Sequence, residues 1–179
     1  MDTPSLRTPR LLLRPWSPDD AEALFKILQE KDVLRYLPNT NPPPLEKVEK
    51  YITRQLAHWQ EGGYGHWAVV SQENGLLLGW NGLEYLPEVN ETEVAYLLRK
   101  NAWGCGFATE AAQAAVQFGF DTAGLDTIIG LVHPDNIASS RVLEKSGLTY
   151  ADKINLWGLE LNRYRIHKPG YGPTQGSSA

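Results

Sequence analysis

Apolar and polar positions along this chain alternate between two periods, and the changes of period mark its elements. Leu11, Leu12 and Leu13 form an apolar run closed by Pro15, which predicts a first strand within residues 10–16. Ser17-Pro18-Asp19-Asp20 then supplies a helix start: a capping serine, a proline at the first helical position and two acids at the positive end of the dipole. Ala21, Leu24, Phe25 and Leu28 recur behind it at helical spacing. The segment from Pro38 to Pro44 fits neither helix nor central strand and predicts a loop. Val48, Ile52, Leu56 and Trp59 share one face of a second helix, stopped by Gly62-Gly63.

Three strand-like runs follow, at 64–71, 76–85 and 93–99, and Asn74-Gly75 predicts a two-residue hairpin turn between the first two. Residues 106–124 are alanine-rich and apolar on more than one side, as in a helix packed against a sheet. Residues 127–132 form a β-branched run suited to a buried strand. A short helix over 136–146 stops at Gly147, and two last strands, 148–156 and 159–166, flank Trp157-Gly158. The strand–helix–strand unit from Glu93 to Val132 implies one parallel pair with a right-handed crossover inside an otherwise antiparallel sheet. The expected class is α/β: a mixed, mostly antiparallel sheet of about seven strands with about four helices. One domain is expected over residues 1–168, with 169–179 too poor in apolar residues to pack and expected to be a flexible tail.

Composition narrows the function. The chain has 179 residues, 42% hydrophobic, 10% aromatic and 21% charged, which is ordinary globular material able to fill one core. Lys plus Arg number 17 against 21 Asp plus Glu, a formal charge of −4, which argues against a nucleic-acid partner. The single cysteine, Cys105, excludes an internal disulfide and a cysteine-based zinc site. His58, His66, His133 and His167 lack metal-ligand spacing, so no metal is expected. No run approaches the roughly 20 apolar residues of a membrane span. The start lacks a charged-then-apolar leader, and the expected location is the cytoplasm.

The segment Trp103-Gly104-Cys105-Gly106-Phe107-Ala108-Thr109-Glu110, between a strand and a helix, carries the clearest chemistry. Glycines permit positive φ and close approach of a ligand, and N–H groups at a helix start make a concave anion site. The competing reading is a glycine turn that merely connects two elements. The dinucleotide fingerprint fails because position 109 is Thr, and the P-loop fails because no Gly-Lys-Ser/Thr triplet occurs.

The chain resembles the GNAT superfamily of acyl-CoA-dependent N-acyltransferases, and within it the RimJ/RimL-like ribosomal-protein N-acetyltransferase branch. Three segments carry the likeness: Thr8-Pro9-Arg10-Leu11-Leu12-Leu13-Arg14, then Glu93 to Leu98 with Gly104 to Ala111, and Pro134 to Leu148. The resemblance implies the GNAT fold, acetyl-CoA as co-substrate and an amine acceptor. It also implies pantetheine contacts at Leu97 and Leu98, and pyrophosphate over Gly104, Cys105, Gly106, Phe107, Ala108 and Thr109. Two departures stand out: Trp103 replaces the usual Arg or Gln, and Leu143 replaces a tyrosine that protonates the leaving thiolate in many members.

By the same resemblance Glu93 is the candidate general base, against the alternative of an exposed acid in the cluster Glu88, Glu91, Glu93. Ser139 matches a serine thought to assist the thiolate; Asn136 would cap the last helix and contact the coenzyme arm. Direct transfer needs no enzyme nucleophile, so Cys105 reads as a small apolar filler. Arg141 and Lys145 read as a solvated face and His133 as a strand-end histidine; Trp59, Trp67 and Trp80 offer pocket walls, yet core packing explains most of them. The loop from Asn39 to Pro44 would flank the amine side. The expected reaction is acetyl transfer to a primary amine, first a protein N-terminal α-amine, with a small-molecule amine as alternative. The rival class is a non-catalytic acyl-CoA-binding sensor. Exposed sheet edges leave a homodimer open.

Overall fold

The computed structural model describes residues 3–170, so the expected tail over 169–179 lies outside the described residues except for its first two positions. Eight strands form one sheet: β1 (Leu6–Arg7), β2 (Leu11–Arg14), β3 (His66–Ser71), β4 (Leu77–Leu86), β5 (Glu91–Leu98), β6 (Thr127–Val132), β7 (Thr149–Leu156) and β8 (Leu159–His167). Their order is β1-β2-β3-β4-β5-β6-β8-β7, and among the described residues only β5 and β6 pair in parallel. The helices are α1 (Ala21–Leu28), α2 (Leu45–Gly62), α3 (Phe107–Asp121) and α4 (Ile137–Lys145). The mixed sheet is as expected; the additional strand is the two-residue β1, too short to leave a periodic signal.

The helices lie on opposite faces of the sheet, and residue parity along each strand decides which core a side chain enters. Leu11, Leu13, Trp67, Leu83, Val94 and Leu98 pack against α3 and α4, where Ala111, Ala112 and Ala115 are fully buried and let α3 lie close. Ala68, Val70 and Leu97 pack on the other face against Leu24 and Ile27 of α1 and Val48 and Ile52 of α2. Successive residues of β5 therefore serve different layers. Val94, Tyr96 and Leu98 face α3 and α4, while Glu93, Ala95 and Leu97 face α1 and α2.

Local chemistry sets the helix ends. The Ser17 side chain accepts the Asp19 N–H, the Asp20 carboxylate accepts the Ser17 N–H at 2.8 Å, and a single tight turn over Pro18–Asp20 leads into α1. Arg14 grips both oxygens of Asp20 at 2.7 Å, tying this start to β2. α2 ends at Gly63, whose φ of +73° is the left-handed stop expected of a glycine there.

Two turns contrast. Trp157 and Gly158 both have positive φ (+53° and +78°), the backbone of a tight two-residue turn between β7 and β8. Asn74-Gly75 does not make the expected two-residue turn. The Ser71 N–H donates to Leu76 O at 2.9 Å, which leaves four residues in the loop. The reason is Gln72, whose N–H is taken by Arg10 O at 2.9 Å, so β3 continues along β2 after it has left β4.

Candidate active site

The site begins where β5 and β6 part. The parallel register is Glu93 opposite Ile129, and no other register pair joins these strands among the described residues. Two residues further along β6, the Leu131 N–H donates to Glu93 Oε1 at 3.1 Å. A side chain thus stands where the ladder would continue, and the β6-facing edge of β5 is left open to an extended ligand. Leu97 and Leu98 lie along that edge, with the opposite edge of β5 held by Trp80 and Gly79 of β4. The Leu98 carbonyl is also claimed by the Trp103 indole N–H at 2.7 Å, which gives this departure from the usual Arg or Gln a structural task.

The glycine turn opens onto the same end of the sheet. Gly104 (φ +73°) and Gly106 (φ +80°) are left-handed, a conformation glycine adopts without a Cβ penalty. Gly106 immediately precedes α3, so the N–H groups of Phe107, Ala108 and Thr109 lie in the first turn, where no intrahelical acceptor exists. Nothing lies within 4 Å of where a Gly104 Cβ would sit. Open glycines, unclaimed helix-start amides and the helix dipole fit a pyrophosphate, and the gap beside β5 fits an extended arm. These two features are what acetyl-CoA requires. Cys105 is exposed, which corrects its reading as an apolar filler: the loop turns its side chain outward while its carbonyl is used.

That carbonyl accepts from Arg10 Nη1 at 2.9 Å. Arg10 also donates its Nε–H to Glu110 at 2.7 Å and its backbone N–H to the same carboxylate at 2.8 Å, while Thr8 Oγ1 donates to it at 2.6 Å. The guanidinium lies 4.5 Å from the centre of the Phe107 ring. Burial pushes the Glu110 carboxyl up, and the bonds from Thr8 and Arg10 more than reverse it, leaving it below the ordinary range. Sequence reasoning had Thr8, Arg10 and Glu110 inside its motifs but assigned none of them a role. A contact between residues 100 apart leaves no periodic trace.

Glu93 is the third residue of β5 rather than its first, and the acidic cluster disperses. Glu88 accepts from the Trp157 indole, Glu91 pairs with Arg163 and Arg165 at 2.7 Å, and Glu93 alone turns into the sheet. Burial raises the Glu93 carboxyl to about 8; the Leu131 N–H opposes this and the charge of Glu84 adds to it.

On the other side of β5, Tyr96 reaches α4. Its hydroxyl lies 2.9 Å from Ser139 Oγ and 3.1 Å from the Ser139 carbonyl oxygen. Burial pushes the phenol well above its ordinary range, so it stays protonated. Asn136 caps α4, its side chain accepting the Ser139 N–H at 3.2 Å. Leu143, where many members carry tyrosine, is buried against Gly130 of β6, where an added Cβ would lie 2.5 Å from a Leu143 methyl. No hydroxyl is available there. Tyr96, absent from the sequence-based candidates, brings one from a different element.

His133, just beyond β6, stacks on Tyr36 with centroids 5.4 Å apart, and its Nδ1 accepts the Asp135 N–H at 3.2 Å. Trp59 and Trp67 are core, and Trp80 is half-buried, packs against the α1–α2 core and stacks on His66. Arg141 and Lys145 are solvated.

Residues 10–149 match the Acetyltransferase (GNAT) domain family. The chain is 33% identical to the uncharacterized N-acetyltransferase YoaA of Bacillus subtilis over 145 residues, 80% of this chain and 82% of that protein. It superposes on an acetyltransferase from Agrobacterium tumefaciens with a TM-score of 0.81 at 30% identity, covering 94% and 96% of the two chains. RimL, a ribosomal L7/L12 alpha-N-protein acetyltransferase solved with coenzyme A, shares the fold at a TM-score of 0.80 and 16% identity over 92% of this chain and 98% of RimL. The splayed parallel pair, the glycine turn ahead of α3 and a match over residues 10–149 lead to one conclusion: the chain belongs to the GNAT family and is an acyl-CoA-dependent N-acetyltransferase.

Proposed function

We propose that this enzyme transfers acetyl from acetyl-CoA to a primary amine by direct attack in a ternary complex, with Glu93 as the proton acceptor. The observation that carries this reading is the Glu93 carboxylate at the mouth of the β5–β6 gap, held by the Leu131 N–H. Acetyl-CoA supplies the thioester. The new N–C bond forms as the C–S bond breaks, sulfur keeps the electron pair, and the amine must surrender a proton to become acetamide. Glu93 takes that proton directly or through a water.

The remaining residues bind and orient. Leu97 and Leu98 offer backbone to the pantetheine arm, Gly104 to Thr109 cradle the pyrophosphate, and Asn136 meets the arm at the start of α4. Ser139 stands on the sulfur side with the protonated Tyr96 hydrogen-bonded behind it, so its hydroxyl can donate a hydrogen bond to the departing thiolate. This pair offers the sulfur a hydroxyl where Leu143 has none.

The acceptor we infer is an α-amine, as in the RimJ/RimL-like branch. Burial raises the Glu93 carboxyl and so makes it a stronger base than an ordinary carboxylate, as accepting a proton from an amine requires. The test is acetyl-CoA-dependent thiol release against peptides with free N-termini, amino acids, polyamines and aminoglycosides. Release that depends on an N-terminal α-amine supports the assignment; preference for another amine class moves the acceptor, and no release with any amine overturns it.

A further inference from the structure

Beside Glu93, on the face toward α1 and α2, lies a polar cluster that the reaction as described does not use. Glu84 of β4 stands directly across from Glu93 of β5, so both side chains leave the same face of the sheet. Next to it is His66, only 3% exposed. Its Nδ1 lies 2.8 Å from the Tyr51 hydroxyl, and its Nε2 has no hydrogen-bond partner while lying 3.5 Å from Glu84 Oε2. Trp80 stacks on the ring at 4.4 Å and 11°, fixing its plane. Gly82, opposite His66 in the ladder, has no room for a side chain, because a Cβ there would overlap the Gly65 carbonyl and the His66 Cα.

The protonation state follows from burial. It pushes the His66 imidazolium down to about 3 and the Tyr51 phenol well up, so both are neutral near pH 7. If Tyr51 donates to Nδ1, the ring proton sits on Nε2 and points at the Glu84 carboxylate. The other tautomer would aim a lone pair at a negative charge. The cluster thus presents two acidic side chains and a buried, neutral imidazole, with no cationic side chain paired to either acid among the described residues. Arg54 of α2 lies over the Tyr51 ring at 5.9 Å, and it and His58 act on His66 only through space.

We propose that Glu84, beside His66, completes with Glu93 an acceptor subsite for a primary ammonium group. The inference rests on the acetyltransferase reading and deepens it: the amine arrives as a cation and lies between Glu84 and Glu93. Glu84 lies opposite while the ionised Glu93 takes the proton, and the freed lone pair then faces the β5–β6 gap. His66 is a positioning residue, acting through Glu84, and the half-buried Trp80 walls the subsite. Cationic primary amines are selected over neutral or acidic nucleophiles of the same shape.

The test uses the full chain and an alanyl peptide amide, whose α-amine is its sole amine. E84Q is expected to raise KM for this peptide at least tenfold, with acetyl-CoA affinity by calorimetry within about twofold of wild type. E84D, which restores the charge, is expected to recover most of the loss. An unchanged peptide KM in E84Q, or a loss that E84D does not restore, overturns the subsite while leaving acetyl transfer intact. Wild-type protein that releases no thiol with any amine overturns the underlying reading instead.

Discussion

The Leu131 N–H, which a continuing parallel ladder would give to a β5 carbonyl, goes to the carboxylate of Glu93 at 3.1 Å. One residue thereby ends the pairing of two strands and leaves its own acid at the fork. The gap beside β5 and the acid at its mouth therefore have a common origin.

The pH dependence of turnover follows from the Glu93 carboxyl lying at about 8. Glu93 acts as base only when ionised, so kcat/KM should climb with pH and level off above about 8. A profile measured with an acceptor of invariant charge tests this; a plateau already reached at pH 6 would contradict it.

Stability should move the opposite way. Glu93 is raised from an ordinary 4.5 to about 8 in the folded chain, so between these values the native state holds a proton that the unfolded state has lost. The resulting contribution is complete below about 4.5 and falls away as pH rises through about 8. Urea unfolding at pH 5 and pH 8.5 should show a larger drop for wild type than for E93Q, which cannot titrate.

The Tyr96–Ser139 pair should behave as one unit. Y96F and S139A are each expected to lower kcat about tenfold or more, with the double variant little worse than either, because both break the same hydrogen-bond chain. Y96F also removes a buried hydrogen bond, costing about 0.5–1.5 kcal/mol of stability. Fully additive losses in kcat would separate the two residues.

The Arg10–Glu110 clamp should be read in coenzyme affinity. R10A frees the Cys105 carbonyl and the Glu110 carboxylate together. KM for acetyl-CoA is expected to rise about tenfold, equivalent to ~1.4 kcal/mol, with kcat little changed. An unchanged KM would show that the loop holds its shape without the clamp.

Most of the architecture was legible in the chain because periodicity and punctuation are local. The Ser17 capping box, Gly63, the Trp157-Gly158 turn and the helix after Gly106 all formed where their residues predicted. Asn74-Gly75 misled because the turn is decided by Gln72 pairing with Arg10, a partner some 60 residues away. The glycines and Glu93 could be singled out from the chain as candidates, while Tyr96, Glu84, His66 and the Arg10–Glu110 clamp could not. Each depends on which strands lie side by side, and no spacing along the chain records that order.

The most direct test is thiol release from acetyl-CoA, with and without amine, in wild type and E93Q. The glutamine keeps an oxygen for the Leu131 N–H, so the fork and acetyl-CoA binding should survive while the base is lost. The account predicts amine-dependent release in wild type, reduced about 10²–10⁴-fold in E93Q with acetyl-CoA affinity unchanged. E93Q turning over like wild type would contradict it.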